Sequence, residues 1–251
     1  MEVCVDNVES VVNAFNGGAK RLELCGLLPL GGLTPSVGFL KAAKKRISPE
    51  CEIFVMIRPK PGNDFIYNEH DIEIMTEDIK TFKENGANGF VFGCLNSNKE
   101  IDKDACQKLI VAAKPLPCTF HRAFDVVKNP EESLKMIIDL GFARILTSGQ
   151  EKSAFLGKLL IKKMVLTAQL LKSDIVIMPG GGIDHTNLRE ILQTTGVKEY
   201  HGSAKGKSSR KASEREEVII TDESIVREMV RIGKKFGCEA PIRETLPGDK
   251  R

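Results

Sequence analysis

Glutamate and cysteine recur two residues apart at the first two apolar stretches of the chain, Glu2-Val3-Cys4-Val5 and Glu23-Leu24-Cys25-Gly26. In an extended strand, residues two apart share a face, so each stretch presents a carboxylate beside a thiol. If the two strands are parallel neighbours, all four side chains converge at the strands' C-terminal ends. Burying such groups without partners is unfavourable, so the cluster calls for a ligand or a network. Soft thiolates held together suit a soft ion such as Cu(I), or Zn(II). Cu(I) accepts two thiolates, with Met56 or His121 available as a third donor. A closed zinc site needs four ligands, and the sequence shows no such set. The competing reading makes Cys4 and Cys25 two small core hydrophobes, the usual setting of a free cysteine.

Other residues could do different chemistry. Arg58 precedes Pro59, which favours an extended backbone at the arginine. Its guanidinium could pair internally with Glu23 or clamp a carboxylate or phosphate. His121 could move protons or sit hydrogen-bonded in the core, with Glu23 or Asp125 to orient or assist it. Gly180, Gly181 and Gly182, together with Ser203, could cradle an anion through backbone N–H groups, or simply form a tight turn.

Positioning these groups requires elements at regular intervals, and the apolar pattern supplies them. Short apolar runs at 2–5, 21–25, 53–58, 89–93, 118–122, 144–147, 175–178 and 199–201 read as strands. Amphipathic or capped segments at 8–16, 37–46, 72–85, 103–113, 131–140, a long piece ending near 171, 185–194 and 222–236 read as helices. Strict alternation implies a parallel sheet. Eight units in 251 residues match a (β/α)8 TIM barrel formed as a single α/β domain over 1–251. In that fold the C-terminal ends of the strands form the active face. Every residue named above falls at such an end or in the loop that follows it.

Composition narrows the function classes. Thirty-seven Lys and Arg against 34 Asp and Glu leave a net charge of +3, too little for a nucleic-acid or membrane-binding field over the whole molecule. A basic run at 205–215 lies in a loop expected at about 203–217, and a polar tail spans about 237–251. The run lacks interleaved aromatics, so no nucleic-acid partner is expected. Seven cysteines without CxxC spacing argue against a disulfide framework and fit a reducing compartment. No leader pattern or membrane span is visible, so the expectation is a soluble cytoplasmic protein, with the nucleus as a compatible compartment.

The motifs together resemble the CutC copper homeostasis family. The resemblance runs from Met1 to about Asp222. It rests on Glu2-Val3-Cys4, Glu23-Leu24-Cys25, GGLTPS at 31–36, MIRP at 56–59, Asp64-Phe65 with Tyr67, VFG at 91–93, TFHRAFD at 119–125, ILTSG at 145–149 and MPGGGI at 178–183. It implies a TIM barrel, a cytoplasmic homo-oligomer (dimer or tetramer), and Cu(I), one per subunit, on Cys4 and Cys25, with the protein acting as buffer or shuttle. Two stretches depart from the family pattern: Lys60-Pro61-Gly62-Asn63-Asp64, where the family reads close to R-P-R-x-G-D-F, and Gly26-Leu27-Leu28-Pro29-Leu30 after the second cysteine. The alternative function is an enzyme of unassigned reaction, taking a small phosphate- or carboxylate-bearing substrate through Arg58, His121 and the Gly180–Gly182 loop.

Overall fold

A computed structural model describes residues 1–206 and 220–238. Most of the basic loop and nearly all of the polar tail therefore lie outside the described residues. Eight strands, β1 (Glu2–Val5), β2 (Arg21–Leu24), β3 (Glu52–Met56), β4 (Gly89–Phe92), β5 (Cys118–Phe120), β6 (Arg144–Thr147), β7 (Val176–Pro179) and β8 (His201–Gly202), alternate with eight helices. The helices are α1 (Val8–Asn16), α2 (Val37–Lys44), α3 (Glu69–Glu84), α4 (Lys103–Ala113), α5 (Pro130–Leu140), α6 (Lys158–Leu170), α7 (Leu188–Thr195) and α8 (Glu223–Lys234). All pairings between strands are parallel, in the order β7-β6-β5-β4-β3-β2-β1-β8. Gly180 helps bring the two ends of that order together: a Cβ there would lie 3.3 Å from the His201 Cβ. The expected TIM barrel is what the chain forms.

Local chemistry explains where the helices begin. Asn7, Ser36, Asp102 and Asp222 each accept a backbone N–H of the first turn, and Asn68 with Asp71 forms a reciprocal capping box. That box starts α3 at Glu69, three residues earlier than the apolar periodicity suggests. β8 is only His201–Gly202, later and shorter than the run 199–201 implied. Glu199 is left at the base of the barrel rather than in a strand.

The strands divide their side chains between two environments. Outward residues such as Val3, Val5, Leu22, Leu24, Ile53 and Val55 pack with the helices into the main core. A separate, much smaller cluster of Cys25, Phe54, Met56 and Val91, with Cys4 and Leu28 against it, occupies the interior. Gly89 is required there, because a Cβ would come within 2.5 Å of the Phe54 ring.

Below Phe54 the barrel is filled by charge. Arg21 donates to Glu2 and Glu199, Arg144 donates to Glu199 at 2.8 Å, and Glu52 lies 3.9 Å from Arg21. Both guanidinium groups lie over the Phe54 ring, at 5.1 and 5.2 Å, a favourable cation–π arrangement. Truncating one partner of such a buried network strands the others. Arg21→Leu is expected to lower unfolding stability by about 3–5 kcal/mol in urea titration, and adding Glu2→Gln should restore part of it. An Arg21→Leu protein as stable as the wild type would show that the network is not needed to fill the barrel.

Candidate functional site

The register of β1 against β2 decides which groups meet. Glu2 pairs with Arg21 and Cys4 with Glu23, so the two Glu-x-Cys stretches are offset by one layer instead of lying level. Glu2 therefore does not reach the mouth as the spacing suggested. It sits at 1% exposure between Arg21 and His201, whose Nδ1 is 2.7 Å from Glu2 Oε1. One layer up, Glu23 Oε2 is 3.6 Å from the same Nδ1, and Cys25 Sγ–H donates to Glu23 Oε1 at 3.1 Å. His201 also hydrogen-bonds Cys4. Glu2, Glu23 and His201 offer ligand atoms all within 4.8 Å of one another, a carboxylate and imidazole set of the kind that suits borderline divalent ions.

Their protonation follows from these contacts. Burial works against charge on Glu2, but Arg21 and His201 outweigh it and hold the carboxyl far below the usual range. Burial also opposes the His201 imidazolium, yet Cys4, Glu23 and Glu2 raise its pKa well above the ordinary value. Glu23 moves the other way: burial and its neighbour Glu2 raise it, against the opposing pull of His201 and Cys25. Cys25, buried and beside Glu23, is pushed well above the usual thiol range and keeps its proton.

Above this cluster opens a cavity of about 800 Å3. Cys4, Glu23, Met56, Arg58, His121, Arg122, Asp125, Gly181, Gly182, His201 and Ser203 all contribute to its wall. Gly180 does not line it and instead packs beneath, against Leu146 and His201. Cys25 is 1% exposed and sits behind the wall, under the short 3-10 turn Leu28–Leu30 and Gly32. That turn is built from the divergent stretch after β2.

Two pairings suggested by the sequence take other forms. Arg58 does not ion-pair with Glu23. Its guanidinium donates to the carbonyls of Leu30, Gly32 and Gly62, the last from the other divergent stretch. Asp125 does not reach His121 either. Its oxygens accept from Thr147, from Ser148 N–H at 2.9 Å, from Ser148 Oγ–H at 2.9 Å and from Arg122 Nε at 2.7 Å, so it ties the start of the β5 loop to the end of β6. His121 Nδ1 accepts the Ala123 N–H at 3.3 Å, which places the ring hydrogen on Nε2. Burial, with Arg58 and Arg122 nearby, depresses its pKa to about 3, leaving the ring neutral.

His201 and Arg21 hold the cluster together, and neither carries a role readable from sequence spacing. His201 was readable as the end of a strand at the mouth, but its partners Glu2 and Glu23 depend on register, which spacing does not reveal. No helix among the described residues is long and apolar enough to cross a membrane.

Comparison with known proteins agrees with the fold and the motifs. The CutC family model matches residues 1–206. The chain is 50% identical over 205 residues to the copper homeostasis protein cutC homolog of Homo sapiens, covering 82% of this chain and 73% of that one. It superposes on the solved structure of a copper homeostasis protein CutC from Streptococcus agalactiae with TM-score 0.75 and 37% identity, over 80% of this chain and 97% of the other. Thiamine phosphate pyrophosphorylase from Pyrococcus furiosus, at TM-score 0.59 and 16% identity over 94% of this chain and 95% of that one, shares the fold.

The neutral His121 gives an acid-stability signature. An unfolded histidine takes up its proton near 6.5, whereas His121 in the fold resists until about 3. Between those values the unfolded chain binds more protons, so this contribution is complete above the unfolded value and is lost as pH falls. His201 has the opposite sign, its contribution being lost as pH rises through its elevated pKa. In urea titrations from pH 7 to about pH 4, the wild type should lose stability faster than His121→Gln, by up to about 1.4 kcal/mol per pH unit. Parallel pH profiles would mean that His121 is not held neutral.

Proposed function

The chain belongs to the CutC family of copper homeostasis proteins, and on that basis we propose that it carries Cu(I) as cargo on the thiolates of Cys4 and Cys25. One observation supports this most directly: three sulfur side chains, Cys4, Cys25 and Met56, share the small interior cluster at the mouth. A single point, where a Cβ of Gly32 would be, lies 3.2 Å from Cys25 Sγ and 3.7 Å from Met56 Cε. Two thiolates with a thioether in reserve form a soft donor set, the chemistry that selects Cu(I) over harder ions. Glu23, whose Oε1 accepts the Cys25 Sγ–H, supplies a place for a proton that must leave when the ion binds, and the charged His201 beside it favours the thiolate form.

The protein would then act as a buffer or shuttle, because one partly exposed thiol and one buried thiol can take up and release an ion without redox chemistry of their own. All seven cysteines are free, which supports a reducing, cytoplasmic setting. Assembly into a homo-oligomer and a stoichiometry of one ion per subunit belong to the same proposal.

Anaerobic titration with Cu(I) against a competing chelator tests it. One equivalent per chain is expected for the wild type, none for the Cys4→Ser, Cys25→Ser double variant, and weakened binding for Met56→Leu. Because Cys25 keeps its proton until the ion displaces it, apparent affinity should rise with pH. Copper uptake unchanged in the double variant would rule the thiol site out.

A further inference from the structure

Four buried side-chain polar atoms among the described residues lack a hydrogen-bond partner: Glu23 Oε2, Arg58 Nε, Thr119 Oγ1 and His121 Nε2. Three of the four residues line the cavity at the barrel mouth. Buried donors and acceptors are nearly always satisfied, so a group of orphans marks a place able to take a ligand. Glu23 belongs to the thiol cluster already described. Arg58 and His121 belong to a different part of the wall, on the β3 and β5 side, and both orphans there are donors.

Charge points the same way. Arg58 is 3% exposed, and among the described residues no carboxylate lies within ion-pair distance of it. The carboxylates of the wall are already engaged. Asp125 is matched by Arg122, Glu23 faces His201, and Asp184 accepts from Thr186 and Asn187. A buried cation held by carbonyl oxygens and the Tyr67 hydroxyl, with no carboxylate beside it among the described residues, is unfavourable unless an anion joins it. Its position is tightly fixed. The guanidinium lies over the Phe65 ring at 5.3 Å, the Phe65 and His121 rings are 4.9 Å apart, and a Cβ at Gly31 would lie 3.0 Å from Nη1. Phe65 itself has φ of 54°, a strained conformation of the sort that persists where the surroundings enforce it.

We infer that the wall built from Arg58, Phe65 and His121 binds the oxyanion of a small organic molecule, a carboxylate or a phosphate ester, at a place distinct from the thiols. Arg58 supplies the charge, and its Nε–H together with His121 Nε2–H supplies two hydrogen bonds. Since the His121 ring is neutral, it donates through a fixed tautomer without adding charge. Neither orphan atom is reached by solvent, and Phe65, in contact with both side chains, is the cover that an incoming oxyanion displaces. The rest of the molecule would lie toward Gly181, Gly182 and Ser203, where missing or small side chains leave the cavity open. A volume of about 800 Å3 accommodates an organic acid well beyond what a metal ion needs.

Calorimetric titration of the metal-free full chain with inorganic phosphate, glycolate and 2-phosphoglycolate tests this inference. At least one probe is expected to bind one per chain with Kd of about a millimolar or below. Binding of phosphate without glycolate would identify a phosphate ester as the ligand, and the reverse a carboxylate. His121→Phe keeps the ring packing and removes the donor, and Arg58→Gln removes the charge. Each should weaken binding by about tenfold or more, the size of one lost charge-assisted hydrogen bond. If Arg58→Gln fails to fold, as judged by circular dichroism, His121→Phe decides alone. The Cys4→Ser, Cys25→Ser variant should bind the probes as the wild type does, so failure of the copper reading and failure of this one are distinguishable. No heat from any probe up to about 10 mM, unchanged affinity in folded His121→Phe, or loss of binding in the cysteine variant would overturn the inference.

Discussion

Arg21 is the group on which the interior depends. A barrel of this kind is ordinarily filled by layers of branched apolar side chains, but here the lowest layers are ionic, with Arg21 and Arg144 over Phe54 and Glu2, Glu199 and Glu52 around them. Arg21 keeps Glu2 ionised, Glu2 holds the His201 ring at 2.7 Å, and His201 in turn pulls against the burial that raises Glu23. Electrostatic order is thus passed from the base of the barrel to its mouth through three consecutive contacts. Phe54 separates the ionic floor from the sulfur cluster above, and Gly89 makes room for its ring.

The mouth has two chemically different halves. Toward β1, β2 and β8 it is soft and proton-rich, with thiols, a protonated imidazole and a carboxylate of raised pKa. Toward β3 and β5 it is cationic, with a neutral histidine and an arginine that lacks a carboxylate partner among the described residues. The two histidines differ for a simple reason. His201 faces carboxylates, whereas His121 faces arginines and a phenyl edge, so the same side chain is charged in one place and neutral in the other.

Much of this was legible in the sequence, and the rest was hidden for identifiable reasons. Alternation of apolar runs and capped segments gave eight units and hence the barrel, and strand ends gave several of the residues that line the cavity, Cys4, Glu23, Arg58, His121 and Ser203 among them. Register was not legible. A one-layer offset between β1 and β2 placed Glu2 in the floor and matched Cys4 with Glu23, and no spacing rule reports such a stagger. The partners of Arg58 were also hidden, because they are backbone carbonyls contributed by loops whose sequence has no periodicity. His201 went without a role because β8 is two residues long and carries almost no pattern.

The 3-10 turn after β2 makes the two thiols unequal in access. Cys4 is partly open to the cavity, whereas Cys25 lies at 1% exposure behind Leu28, Gly32 and Met56. Any electrophile or ion arriving from solvent encounters Cys4 first and reaches Cys25 only after the turn yields. If the two thiols carry an ion as proposed, loading would be ordered, Cys4 before Cys25.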